Sequence, residues 1–279
     1  MTKPLLFTPI RIKDVTFKNR LVIAPMATYA ASAGMAQDFH FAHWGRLALG
    51  GAGCVFVEAT AVTEQGRITN GDLGLWSAAH FLSPLSNKRS DAYGGDFAGR
   101  TRFPLEVAEA VRAVWPPSKP LFLRVSAVDG IEGGWSMDDT VAYARELKAR
   151  GVDVIDCSSG GLYGSATAAR VKRTWGFQVP FAERVRREAG IMSMAVGLIV
   201  DPHFAEAILQ QGRADLIAIA REALVNPCWP QMAEIALGRK PVEAMDDWPV
   251  EYGWWLKHRE WAIERIRAES KQDGKEMRR

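Results

Sequence analysis

Cysteine is scarce in this chain. Three residues, Cys54, Cys157 and Cys228, are spread over 279 positions, too far apart for a CxxC metal pair or a disulfide framework. Long hydrophobic runs are missing as well. The most apolar window, Leu47 to Val62, is broken by Gly50, Gly51, Gly53 and Glu58, so it does not read as a bilayer span. Nor is there an excess of one charge. Against 35 Lys and Arg stand 32 Asp and Glu, a net +3, which builds no strong field to attract nucleic acid or an anionic membrane. The N-terminus carries no long apolar segment followed by small residues, so the expected location is the cytoplasm. A small molecule is the expected partner.

What is present is core material. Hydrophobic residues make up 48% of the chain, enough to bury a substantial interior in one large domain or two small ones. An opening hairpin is expected between Phe7 and Phe17. Apolar strand-like runs then start at Leu21, Cys54, Leu121, Val152, Ser193 and Ala214. Helical spacing recurs over Phe39–Gly50, Phe103–Val114, Ser136–Arg150, Val179–Ala189 and Pro202–Gly212. Ser136 is placed as an N-cap with Asp139 three residues on. The stretch from Glu64 to Ser77, polar and rich in Gly, reads as loop.

Strand and helix in alternation mean an α/β fold with a parallel sheet. The pitch of about 30 residues suits a (β/α)8 barrel, and a Rossmann sheet ranks behind because no GxGxxG follows any strand. Six strands are found where such a barrel needs eight. The interval from Val62 to Leu121 holds only loop and one helix, so either the barrel is incomplete, short of two strands, or the fold is not a barrel.

Several residues carry candidate chemistry. Gly197 and Arg221 end two successive strands of a βαβ unit, and offer a phosphate an unobstructed backbone and a guanidinium fork. The plainer reading pairs Arg221 with Glu222. Arg124 sits inside an apolar strand and needs an anion, either a ligand or Asp156 on the next strand. Tyr29 follows the first strand and could hydrogen-bond or protonate a substrate. His40 and His43 form an HxxH without a third ligand nearby, so no metal site is expected.

Read together, RLVIAPMATY, EATAVTEQGRITNGDLGLWS, FLSPLSNKRSDAYGG, LFLRVSA, DCSSGG, AVGLI and GRADLIAIAREALVNPCWP resemble the Old Yellow Enzyme family of FMN-dependent ene-reductases, in its NADPH dehydrogenase and xenobiotic reductase branch. The resemblance covers the chain to about Pro249. It implies that Ala24, Pro25, Met26 and Ala27 lie along the flavin, with Ala59 also touching it. Arg124 would face the N1/C2 carbonyl region, and Gly197, Ala220 and Arg221 would bind the FMN phosphate. Tyr29 would contact the substrate. The implied reaction passes hydride from NAD(P)H through FMN to an alkene activated by a carbonyl or nitro group.

Two departures from the family pattern stand out. Ala27 replaces a Cys found in many members. After His80 the chain runs straight into FLSPLSN, which leaves out on the order of 90 residues, two to three βα units. With them go a flavin-contacting Gln, the pair that binds the substrate oxygen, and the usual proton donor. The alternative function is therefore a non-catalytic flavin-binding or oligomer-partner remnant of such an enzyme. The division expected is a barrel-like domain over residues 1–250 and an aromatic, charged helical tail over 251–279, through which a homo-oligomer remains open.

Overall fold

The computed structural model describes residues 3–61, 71, 73–74, 81–159 and 171–272. A short antiparallel hairpin comes first, β1 (Ile10–Ile12) with β2 (Val15–Phe17), as expected between Phe7 and Phe17. Six strands then form one parallel sheet: β3 (Leu21–Ile23), β4 (Cys54–Val55), β7 (Phe122–Ser126), β8 (Val154–Ser158), β9 (Met192–Ala195) and β10 (Leu216–Ile219), in the order β4-β3-β10-β9-β8-β7. They are the six runs read from the sequence. Chain order is kept around the sheet except at one junction, where the last strand, β10, pairs with the first, β3, through Ile217 beside Leu21 and Ile219 beside Ile23. That junction is how a barrel closes. Among the described residues, no strand joins β4 to β7.

Alternation along each strand separates two cores. Val22 and Ala24 of β3 and its end, Val154 of β8, Met194 and Val196, and Leu216 and Ala218 point inward and meet the hairpin residues Ile10 and Ile12. Phe56 and Phe122, from opposite edges, touch across this interior at a ring separation of 5.6 Å. The other face, with Leu21, Ile23, Ile155, Ala195, Ile217 and Ile219, packs against the helices. The sheet is therefore curled like a barrel whose wall, among the described residues, is incomplete.

Helices cover the outside: α1 (Asp38–Leu49), α2 (Phe97–Val114), α3 (Met137–Ala149), α4 (Val179–Arg184, continued by a π turn to Ala189), α5 (Pro202–Gln210), α6 (Arg221–Val225), α7 (Trp229–Ala236), α8 (Pro241–Ala244) and α9 (Val250–Gln272). Ser136 caps α3 as read, its hydroxyl accepting from Asp139 N–H at 3.1 Å while the Asp139 carboxylate accepts from Ser136 N–H at 2.9 Å. α2 starts six residues before the expected Phe103, because Asp96 accepts from Gly99 N–H at 2.8 Å and begins the helix there. Pro104 lies inside it.

Two expectations are corrected. Most of the loop expected over Glu64 to Ser77 lies outside the described residues, yet Leu73–Gly74 (β6) forms a short parallel pair with Thr60–Ala61 (β5). The runs starting at Cys54 and Leu121 carry the apolar pattern of strands buried on both faces, whereas β4 and β7 are only partly buried, as the two ends of the sheet on either side of the interval from Val62 to Leu121. No described helix is long and apolar enough to cross a membrane.

Candidate functional site

The carboxyl ends of five neighbouring strands open onto one cleft of about 470 Å³. β3 contributes Met26, β7 Arg124, β8 Ser158 and Ser159, β9 Val196 and Gly197, and β10 Ala220 and Arg221. In parallel α/β folds this end is where the connecting loops start, and ligands bind there.

Arg124 and Asp156 occupy matched positions of β7 and β8, so both side chains project to the same inner face. The guanidinium Nη1 donates to Asp156 Oδ2 at 2.5 Å and Nη2 to the Ser158 hydroxyl at 3.0 Å. The Asp156 side chain is 2% exposed and Arg124 36%. Burial raises the Asp156 carboxyl above the usual carboxylate range, against the pull of Arg124, and its second oxygen has no partner among the described residues. The structural pairing foreseen for Arg124 is thus present, but the strand is not buried on both faces. As an edge, β7 leaves the guanidinium partly open to the cleft.

At the end of β9 the backbone turns through two left-handed residues, Gly197 at φ 109° and Leu198 at φ 52°. A side chain at 197 would bring its Cβ within 2.8 Å of Gln178 Oε1 and 3.1 Å of Phe177. Only glycine fits there. Leu198 has no such freedom, and a residue held in this region stores strain of about 1 kcal/mol or more, which packing around it must offset. Gln178, itself buried, donates to the Ser159 hydroxyl at 2.7 Å and so ties the end of β8 to the start of α4.

Arg221 follows β10 and faces the same cleft with Arg173. Among the described residues neither has an ion-pair or hydrogen-bond partner. Arg221 does not pair with Glu222, contrary to the plainer reading. Two uncompensated guanidiniums beside a glycine turn make a place for an anion. The Phe204 N–H at the start of α5 is engaged within the chain, donating to Asp201 at 2.9 Å.

Of the sequence-derived candidates, Met26, Arg124, Gly197, Ala220 and Arg221 come together in this cleft. Ala24 is buried in the interior and donates its N–H to Ile219 O at 2.8 Å. Pro25 and Ala27 are half-buried, Ala59 is exposed, and none of the three lines the cleft. Tyr29 stands outside it, 56% exposed, with φ 56°. The sequence reading missed Arg173 and Gln178, neither of which any local spacing ties to the strand ends. His80 and the glycines of DCSSGG lie outside the described residues.

Of the HxxH histidines, His40 holds a loop. His40 is fully buried, its Nδ1 accepts from Gln37 N–H at 2.9 Å, and its Nε2 lies 3.2 Å from the Thr28 hydroxyl. Thr28 in turn donates to Glu58 at 3.1 Å. No cluster of three metal-ligating side chains occurs among the described residues. Cys157 is buried in the outer core, and burial raises its thiol.

Comparison with known proteins places this cleft in context. The family model described as "NADH:flavin oxidoreductase / NADH oxidase family" matches residues 5–81 and 78–239, in two pieces. NADPH dehydrogenase of Geobacillus sp. (strain WCH70) is 35% identical over 328 aligned positions, covering 84% of this chain and 95% of the relative. That of Bacillus subtilis (strain 168) is 35% identical over 345, covering 89% and 99%. In the Geobacillus alignment 84% of this chain is about 234 residues spread over 328 positions, so about 94 positions of the relative face no residue here. Among solved structures, morphinone reductase superposes with a TM-score of 0.68 at 18% identity, over 86% of this chain and 92% of that one. The old yellow enzyme homologue from Zymomonas mobilis gives 0.67 at 16%, over 85% and 94%. These two show the fold, the barrel whose wall is incomplete here. With the family model spanning most of the sequence and relatives of this identity along nearly their whole length, the chain belongs to the NADH:flavin oxidoreductase / NADH oxidase family, as an FMN-dependent oxidoreductase with NAD(P)H as its reductant.

Proposed function

We propose that this chain reduces activated alkenes, α,β-unsaturated carbonyl or nitro compounds, with FMN seated in the cleft at the strand ends. The observation that carries this reading is the pair of unpartnered guanidiniums, Arg173 and Arg221, beside the left-handed turn at Gly197. These residues suit the phosphate end of FMN. Gly197 lets the backbone approach without a side chain, and the two arginines supply charge-assisted donors. Arg124, held in orientation by Asp156 and Ser158, is a fixed cation for the pyrimidine edge of the ring. Bound FMN supplies hydride carriage between the nicotinamide and the alkene. Met26 walls the cleft near β3, and Ala24, Pro25, Ala27 and Ala59 are proposed to flank the ring on that side. Tyr29 is our candidate for substrate contact.

A second reading is favoured by the open wall between β4 and β7. In it the chain binds flavin without turning over and serves as partner to another protein. Anaerobic NADPH added to the yellow holoprotein separates the two. Bleaching followed by reoxidation with cyclohexenone supports the reductase, and a flavin that stays oxidised sinks it. Independently, Arg221→Met is expected to weaken FMN binding about 10- to 100-fold, the worth of a lost charge-assisted bond, while leaving riboflavin binding unchanged in a fluorescence titration. Equal losses for both ligands would remove Arg221 from the phosphate.

A further inference from the structure

We infer that Asp156 is a positioning residue for the cofactor's redox balance: it holds Arg124 at the cleft and offsets part of its charge, so that a buried carboxylate sets how far the site favours reduced over oxidised flavin. The inference rests on the reading above, in which Arg124 meets the pyrimidine edge of the ring.

The pair is not built for orientation alone. An arginine is held most firmly when both oxygens of one carboxylate accept from its fork. Here the fork is split. Nη1 donates to Asp156 Oδ2 at 2.5 Å, while Nη2 turns to the neutral Ser158 hydroxyl at 3.0 Å. Asp156 Oδ1 is left buried without a partner among the described residues, and a polar atom in that state lowers stability. An asparagine would offer Nη1 the same acceptor with no buried charge. Orientation therefore does not account for the carboxylate. Stability does not either, since buried ion pairs are often no better than apolar replacements. What aspartate adds over asparagine is its negative charge.

Position decides what that charge acts on. Asp156 is in register with Arg124 of β7 on one side and with Met194 of β9 on the other. Met194 is uncharged and belongs to the apolar interior with Val154 and Val196. Among the described residues Arg124 is the charged group that bears on Asp156, and burial pushes the carboxyl up against its pull. Arg124 lines the cleft and Asp156 does not. A ligand there meets a cation whose counter-charge lies out of the ligand's reach. Two opposite charges in contact inside a protein interact strongly, so the carboxylate removes part of the field that Arg124 puts on the ring. Reduction places negative charge on the pyrimidine edge. The offset thus makes the site hold reduced flavin less tightly than an uncompensated arginine would.

The test measures the midpoint potential of bound FMN at pH 8, which keeps the carboxyl ionised. Asp156→Asn retains the acceptor and removes the charge. It is expected to raise the potential by about 30 mV, the two-electron equivalent of a tenfold gain in preference for reduced flavin. Asp156→Ser, a smaller neutral acceptor, should shift it in the same direction and decides the matter if the asparagine amide disturbs folding. A carboxylate that only orients Arg124 gives the opposite sign, because a released guanidinium stabilises reduced flavin less. An unchanged or lowered potential in the folded variant overturns the inference. Adding Arg124→Met to Asp156→Asn separates that failure from failure of the seating itself. This double variant strands no charge, and its potential should drop below that of Asp156→Asn. Equal potentials in the two would mean that Arg124 does not face the ring, and the seating would fall together with the inference that rests on it.

Discussion

Arg124 shows how one residue can be read correctly in its chemistry and wrongly in its setting. An arginine among Leu121, Phe122, Leu123 and Val125 has to meet an anion, and Asp156 on the next strand meets it. The pair is asymmetric. The carboxylate is buried and the guanidinium a third open, so removing the cation strands a buried charge. Arg124→Met is expected to cost about 2 kcal/mol at pH 7, less than a fully buried pair because solvent already screens the arginine. The pH dependence follows from the raised carboxyl. Between the unfolded carboxyl value and the higher folded one, the native state holds a proton that the unfolded state has released, so this group's contribution to stability falls as pH rises through that window. The variant, which lacks the opposing cation, should show a steeper fall. Urea unfolding of both proteins from pH 4 to 8 checks it, and parallel curves would remove the coupling. Arg173 was not legible, since its relation to Arg221 exists only once β8 and β10 lie near each other.

At the scale of elements, the sequence was most readable where a signal is local. The serine and aspartate at 136 and 139 announce the start of α3, and both reciprocal bonds form. Ser136→Ala should therefore cost about 1 kcal/mol, the usual worth of an N-cap, seen as a lower urea midpoint with an unchanged slope. An unmoved midpoint would mean the cap adds nothing beyond packing. Six strand starts were legible because apolar runs with β-branched residues recur between Gly and Pro breaks. The first turns of α2 were not, since FAGRTR has no apolar period and its start depends on the Asp96 side chain. The place where the sheet ends was legible too, since the interval from Val62 to Leu121 holds no apolar strand-like run, and β4 and β7, which flank it, are the two ends of the sheet.

For the whole molecule, the barrel is seamed where chain order would put the ends together and open in the middle of the chain. β10 lies against β3, and Glu206 of α5 accepts from the N–H groups of Leu5 and Leu6 at 2.7 and 2.8 Å, 201 and 200 positions away. Those contacts form only after a very long loop has closed, which slows folding. Walking round the sheet from β7 to β8, β9, β10, β3 and β4 therefore visits every strand in unbroken succession, provided the chain is imagined as a circle. A circular permutant that begins at Phe81 and joins residue 279 to residue 1 through a flexible linker would have linear order equal to spatial order. It should reach the same fold and refold faster than the natural arrangement in stopped-flow fluorescence, with its new ends placed at the gap, where no strand pairing has to be cut.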